Sequence, residues 1–203
     1  MGLIFVGLYV ACEVIANVTA GKPVLLFGIV VPSAVFIYTI TFTLVDVIHE
    51  IYGKKGTRKV VYGAFLANIL LAVYTYLVIH LPAPPFFTEG KAYETVFRST
   101  PRIVTASLVA YLVSSLVDVE VYHLWKSHIQ QAKWSRVLIS NSISTFVDSC
   151  IFIAIAFMGV MPVIPLIVGQ YTVKMGITIL SLPLIYTTGL KGSIAKYAQG
   201  NGL

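Results

Sequence analysis

Long apolar runs alternate with short polar connections along this chain, and the runs have the length of membrane-spanning helices. A helix that crosses the hydrocarbon core of a bilayer needs about 20 mainly apolar residues, whereas a helix in a soluble protein needs only an apolar stripe. The pattern therefore predicts an all-α integral membrane protein with a single domain of six transmembrane helices, at about residues 2–20, 25–48, 60–80, 102–122, 137–159 and 163–189.

The interruptions of these runs refine the prediction. The first run contains Glu13 and Asn17 and has no basic segment before it, so we interpret it as a span and not as a signal peptide. The second and sixth runs are long and contain Pro32 and Pro183, which predicts tilt or a kink. Residues 81–101, rich in proline and aromatic residues, predict an ordered loop outside the membrane with a short interfacial helix near residues 93–98.

Composition supports a membrane protein. Hydrophobic residues make up 58% of the 203 residues and charged residues only 11%, whereas a soluble domain carries about 25% charged residues. The net charge of +6 would suggest nucleic acid in a soluble protein. Here it lies between apolar runs, so we expect a lipid bilayer and no nucleic acid as partner. Cys12 and Cys150 lie inside apolar runs and are expected to be small buried hydrophobes.

Lysine and arginine are distributed unequally between the two sides of the predicted membrane. Nine fall on one side, at every second connection and in the C-terminal tail, and four fall on the other. Because cytoplasmic loops are enriched in these residues, both termini are predicted to be cytoplasmic. The first group is Lys54, Lys55, Arg58, Lys59, Lys126, Lys133, Arg136, Lys191 and Lys196, and the second is Lys22, Lys91, Arg98 and Arg102.

Polar residues inside the spans predict a binding site. An ionisable group at the centre of a span costs about 2.5–3.5 kcal/mol on insertion scales, so its presence usually has a function. These residues recur at spacings of three and four, and each helix can therefore turn its polar stripe toward a shared interior. The set suits a neutral, planar, polar ligand. The candidate binding residues are Glu13, Asn17, Asn68, Arg102, Asp148, Phe152, Gln170 and Lys174.

Two structural alternatives stay open for this set. Asp148 could form an ion pair with Lys174 or with Arg102 that only joins helices. Asn17 and Asn68 could likewise serve only as a hydrogen-bonded bridge between spans.

A second polar group lies at the predicted cytoplasmic ends of spans two and four. We expect its carboxylates to form structural ion pairs with nearby basic residues. The predicted participants are Asp46, Glu50, Asp118, Arg58 and Arg136.

Motifs of enzymes and metal sites do not fit the sequence. The stretch HEIYG places Gly53, not a second histidine, four residues after His49, so it is not a zinc-protease motif. We expect no metal and no cofactor. A remote alternative is an intramembrane hydrolase, but His49, His80 and His123 all fall at the ends of spans.

Five stretches resemble the vitamin uptake transporter family, also called the queuosine precursor transporters. They are NVTAGK, TFTLVDVIHEIYGKKGTRK, PRIVTASLVAYLVSSLVDVEVY, SISTFVDSCIFIAIAFMG and QYTVKMGITILSLPLIY, which together extend over residues 17–186. The resemblance implies six spans similar to the substrate-binding components of energy-coupling-factor transporters. It also implies a non-enzymatic transporter in a prokaryotic plasma membrane that takes up a 7-deazaguanine, such as 7-cyano-7-deazaguanine, for queuosine or archaeosine in tRNA.

The same resemblance implies site residues. The positions that match the family's motifs are Asn17, Lys22, Asp46, Arg102, Asp118, Asp148, Lys174 and Pro183. The chain departs from the family's pattern at Thr39, Ser115 and Thr145, and Thr145 removes one amide that could contact the ligand. Asp148 or Glu13 could accept the paired N–H groups of a guanine-like edge. The aromatic residues that could stack on the ring are Phe152, Tyr9, Phe97 and Tyr171.

Energy coupling and assembly stay open at this point. The sequence contains no Gly-rich phosphate-binding loop, so the chain is not expected to hydrolyse ATP itself. An external ATPase module is not expected, although a substrate-binding component of an ATPase-coupled vitamin transporter is the alternative of the same class. A homo-oligomer is also left open.

Overall fold

A computed structural model describes residues 2–128 and 133–187 of the chain, and this part is mostly helical. Four segments are long and apolar enough to cross a membrane: Gly2–Thr19, Lys55–His80, Gly90–Val117 and Val163–Leu180. Val35–His49 and Asn141–Phe157 are shorter apolar helices. The elements in chain order are α1 (Gly2–Thr19), β1 (Pro23–Leu26), β2 (Ile29–Pro32), α2 (Val35–His80), α3 (Gly90–Phe97), α4 (Thr100–His128), α5 (Lys133–Phe157) and α6 (Val163–Thr187).

A β-hairpin occupies residues 23–32, where the sequence pattern predicted the start of the second span. β1 and β2 pair antiparallel and are joined by Phe27 and Gly28, whose φ angles are 48° and 84°. Two successive residues with positive φ form the tight turn that matches the twist of a hairpin. Ser33 closes the base, because its N–H donates to the Lys22 carbonyl at 2.9 Å and its hydroxyl to the Thr19 carbonyl at 2.5 Å. Helix α2 consequently begins at Val35.

Helix α2 contains residues 35–48 of the predicted second span and all of the predicted third span, without an intervening loop. Its 46 residues are interrupted only at Gly53, where φ is 64° and ψ is −179°. This conformation is essentially restricted to glycine. The Thr57 hydroxyl donates to the Gly53 carbonyl at 2.9 Å, and the helix continues beyond the kink to His80. The basic segment around Arg58 therefore lies on helical backbone.

Helices α4 and α5 form the most extensive pair, followed by α1 with α2. Small buried residues, including Ala16, Ala106 and Ala110, lie in the main core and allow close approach of helix backbones. Gly169 on α6 packs directly against the Val30 carbonyl of β2, which fixes the hairpin on the helices. Large apolar side chains cover much of the outer surface, as expected for helices that face lipid.

The structure also describes the predicted short helix and the two cysteines. The short helix predicted near residues 93–98 is confirmed as α3. Cys12 is buried and Cys150 partly buried, and both are free thiols.

Residues 129–132 and 188–203 lie outside the described residues, and so do the side chains of several predicted positions. The predicted ion pairs at the inner ends of the spans therefore stay predictions. These side chains are Asp46, Glu50, Asp118, His123, Arg136 and Pro183; Arg58 is described and exposed.

Candidate functional site

A cavity of ≈ 520 Å³ lies among helices α1, α2, α4, α5 and α6. Six of the eight predicted binding residues line it, namely Glu13, Asn68, Asp148, Phe152, Gln170 and Lys174. The other lining residues are Tyr9, Pro32, Ala34, Val35, Tyr38, Thr41, Val45, Val61, Ala64, Phe65, Ser107, Leu108, Tyr111, Ser114, Ser115, Asn141, Ser144 and Thr145. The helical stripes that the sequence placed on separate spans thus meet at one interior space.

An ion pair between α5 and α6 crosses one wall of the cavity. Lys174 Nζ lies 2.5 Å from Asp148 Oδ2, and the side chains are only 11% and 22% exposed. The same ammonium lies 5.4 Å from the centre of the Tyr38 ring, a distance at which an aromatic face attracts a cation. The Tyr38 hydroxyl in turn lies 3.0 Å from Ser107 Oγ on α4. One polar cluster therefore joins α2, α4, α5 and α6.

Glu13 supplies a second carboxylate from α1. It lies near enough to Lys174 for electrostatic attraction, and it lines the cavity together with Thr41, whose hydroxyl donates to the Tyr38 carbonyl at 2.9 Å. The two acidic groups of the cavity thus have different surroundings, because Asp148 contacts the ammonium directly whereas Glu13 interacts with it at longer range. Among the described lining residues Lys174 is the one cation, so it is shared between two carboxylates.

Asn17 lies behind the cavity wall rather than in it. Its side chain is 1% exposed, and its Nδ2 donates to Asn68 Oδ1 at 2.7 Å. Asn68 lines the cavity and donates its own Nδ2 to the Ala64 carbonyl at 2.9 Å. The bridge considered from the sequence is therefore present, and its second member faces the space where a ligand would bind.

Arg102 is not among the described residues that line the cavity. Its Nε donates to the Ile155 carbonyl at 2.6 Å and its terminal nitrogen to the Met158 carbonyl at 2.7 Å. Ile155 lies in the last turn of α5 and Met158 directly follows its end at Phe157. The last backbone acceptors of a helix have no partner within the helix. Arg102 thus caps α5, and Asp148 pairs with Lys174 instead.

The predicted stacking residues divide into two groups. Phe152 and Tyr9 line the cavity. Phe97 lies on α3 and packs on Tyr93 with ring centres 4.7 Å apart. The Tyr171 hydroxyl lies 2.7 Å from Ser142 Oγ, so its polar end already has a partner.

Tyr38 and Thr41 are among the residues of this site that the sequence analysis missed. They are three apart on α2 and share one helical face with Val45, which is the signal that could have found them. Ser107, Tyr111 and Ser114 share one face of α4 at spacings of four and three, and they also line the cavity.

The arrangement suits binding of a small polar molecule. Pockets for such ligands have volumes of about 300–1,000 Å³ and combine apolar walls with a few polar groups. Carboxylates, amides, hydroxyls and one ammonium converge here from five helices. Among the side chains that the structure describes, no three His, Cys, Asp or Glu cluster as metal ligands would, and the described lining residues include no histidine.

Comparison with known proteins agrees with this picture of a membrane protein. No solved structure shows significant similarity to the chain. A protein of Bacillus subtilis (strain 168), named "Probable queuosine precursor transporter", is 31% identical over 193 residues, which cover 92% of this chain and 82% of the relative. Residues 32–188 match the family described as "Putative vitamin uptake transporter". The chain therefore belongs to the vitamin uptake transporter family.

Proposed function

We propose that this protein is a membrane transporter that takes up a 7-deazaguanine precursor, of the 7-cyano-7-deazaguanine type, for queuosine or archaeosine in tRNA. The observation that carries the proposal is the polar cavity, in which two carboxylates and one ammonium are held among five helices. The name of the Bacillus subtilis relative supports a queuosine precursor as cargo. As a transporter the protein is not an enzyme.

The cavity offers complementary groups to a guanine-like edge. Such an edge presents N1–H and an amino group side by side, and one carboxylate can accept both, as acidic side chains do with base edges. Glu13 and Asp148 are the candidate acceptors. Lys174 and Gln170 can donate to the 6-oxo group or the nitrile, and Phe152 offers an aromatic face for the ring.

The arrangement in the membrane that fits this function has six spans. The part of α2 before Gly53 contains about 18 residues and is roughly 27 Å long at 1.5 Å per residue, close to the hydrocarbon thickness. Together with α5, this part of α2 would add two spans to the four longer apolar segments. The lysine and arginine distribution then places both termini in the cytoplasm of a prokaryotic cell, with the protein in its plasma membrane.

Transport would proceed by alternating access around the cavity. Under this proposal the chain functions without an ATPase module, and uptake is facilitated or proton-linked. Purified protein in liposomes tests this point. Uptake of a radiolabelled deazaguanine by the chain alone is the expected result, and uptake only after addition of ATPase subunits would refute a solitary transporter.

Ligand identity is tested by thermal unfolding of the purified protein with 7-cyano-7-deazaguanine, guanine, riboflavin and biotin. A ligand at about 100 times its Kd stabilises the folded state by roughly 2.7 kcal/mol. We expect the largest stabilisation with the deazaguanine. Absence of stabilisation by any deazaguanine would overturn the assignment of the substrate.

The site is tested with Asp148→Asn. Loss of the charged acceptor of two N–H groups should weaken binding about 100-fold or more, since each hydrogen bond to a charged group contributes about 1.5–3 kcal/mol. Isothermal titration at a temperature where the variant is folded measures the effect. Wild-type affinity in this variant would exclude Asp148 from the binding site.

A further inference from the structure

The two buried amides at the cavity wall form a hydrogen-bond chain with a fixed direction. Asn68 Nδ2 donates to the Ala64 carbonyl at 2.9 Å, and Asn68 Oδ1 accepts from Asn17 Nδ2 at 2.7 Å. Asn17 Nδ2 also donates to the Glu13 carbonyl at 3.3 Å. The chain thus starts and ends on backbone carbonyls, which can only accept.

This direction decides how Asn68 is oriented. An asparagine amide is nearly symmetric in shape, and a flip of the group exchanges its donor and its acceptor. A flipped Asn68 would direct Oδ1 at the Ala64 carbonyl and Nδ2 at the Asn17 amino group, which places acceptor against acceptor and donor against donor. Both side chains are almost fully buried, at 3% and 1% exposed, so water cannot readily replace the lost partners.

We propose that Asn17 is a positioning residue for ligand selectivity, because its amino group and the Ala64 carbonyl together hold the Asn68 amide in one of its two orientations. Asn68 then presents a donor and an acceptor to the cavity on fixed sides, and it distinguishes a ligand acceptor from a ligand donor at one position. The inference rests on the proposed function. Without the Asn17 donor only the Ala64 carbonyl opposes a flip of Asn68. The flipped amide then becomes more populated, and discrimination between a ligand donor and a ligand acceptor weakens.

The test compares dissociation constants of purified wild-type protein and of Asn17→Leu, which has a similar volume and no donor. The probes are 7-cyano-7-deazaguanine, its analogue with an amino group in place of the 6-oxo group, and its analogue without the 2-amino group. The ratio of two dissociation constants is the readout, because a merely structural defect weakens the binding of all three probes in parallel and leaves the ratio unchanged.

Wild-type protein is expected to discriminate against at least one analogue. In Asn17→Leu that discrimination should fall about tenfold, which corresponds to about 1.4 kcal/mol. Thr75→Val is the control, because Thr75 is buried as Asn17 is. Among the described residues, its hydroxyl bonds to carbonyls of its own helix, α2, at 2.7 Å to Leu71 and 3.1 Å to Ala72. This control should retain the wild-type ratio.

A second substitution covers the case in which Asn17→Leu does not fold. In Asn17→Ser the hydroxyl can donate to the carbonyl four residues earlier, as Thr19 does to Ile15 at 2.8 Å, which leaves Asn68 Oδ1 without its donor. Wild-type binding with unchanged ratios in both Asn17 variants would overturn the positioning role alone. Wild-type protein that binds no deazaguanine would overturn the proposed function together with this inference.

Discussion

The ion pair between Asp148 and Lys174 gives the sharpest prediction about how the cavity is held together. Replacement of Asp148 by Asn, or of Lys174 by Met, removes one charge and leaves its partner in a largely buried site. The double variant removes both charges and retains similar volumes. A comparison of the four proteins separates the coupling of the pair from the effect of each side chain.

The two single variants should differ in stability. Removal of one partner of a buried pair costs about 3–5 kcal/mol. The loss of stability in Asp148→Asn should be near the lower limit of this range, because Lys174 still contacts the Tyr38 ring and is still attracted by Glu13. Lys174→Met should lie near the upper limit, since it leaves two carboxylates in one cavity. The double variant should lose less than either single variant, because no uncompensated partner of the pair remains.

These differences are measured by thermal unfolding of detergent-purified protein, monitored by fluorescence-detected size-exclusion chromatography. A loss of about 3 kcal/mol corresponds to a decrease of roughly 6–12 °C in Tm for a chain of this size. The decisive result is the double variant. If its loss equals the sum of the two single losses, or if both single variants melt like the wild type, the two charges do not stabilise each other.

Three further substitutions test contacts that only the tertiary structure shows. Gly169→Ala should lower the free energy of unfolding by about 1–3 kcal/mol, because the added methyl group would overlap the hairpin backbone. Its control is Gly176→Ala, which has open space around it and should be neutral or slightly stabilising in the same melting assay. Arg102→Leu should lower the free energy of unfolding by about 1–2 kcal/mol and leave ligand affinity unchanged, because the guanidinium caps α5. Its control is Arg98→Leu, which replaces a 77% exposed side chain and should leave stability unchanged. Gly53→Ala should cost about 1–3 kcal/mol through backbone strain, and a wild-type Tm would refute the requirement for glycine there.

The sequence was most informative about which residues are polar inside apolar runs. Glu13, Asp148 and Lys174 stood out because an ionisable side chain in a span needs a reason to be there. Their helical spacing also showed that each stripe could face a common interior. The structure brings these three residues together in one cavity, so the outline of the candidate site could be predicted without coordinates.

Local backbone geometry was predicted less well. Residues 23–32 are as apolar as the span that they precede, and hydrophobicity alone does not distinguish a strand from a helix in so short a run. The turn at Phe27 and Gly28 and the paired strands decide the matter. The basic segment near Arg58 looked like a loop because of its charge, yet one glycine conformation was enough to redirect a helix that otherwise continues.

The sequence by itself determined that this chain belongs in a membrane and that polar groups lie within its spans, because burial in lipid depends on the composition of each run and not on its neighbours. Only the tertiary structure decided which partner each polar group has. Lys174 pairs with Asp148, Arg102 caps α5, and Asn17 holds Asn68 from behind the cavity wall. Helical period fixes the direction of a side chain on its own helix, but the order and rotation of neighbouring helices follow from packing across the whole bundle.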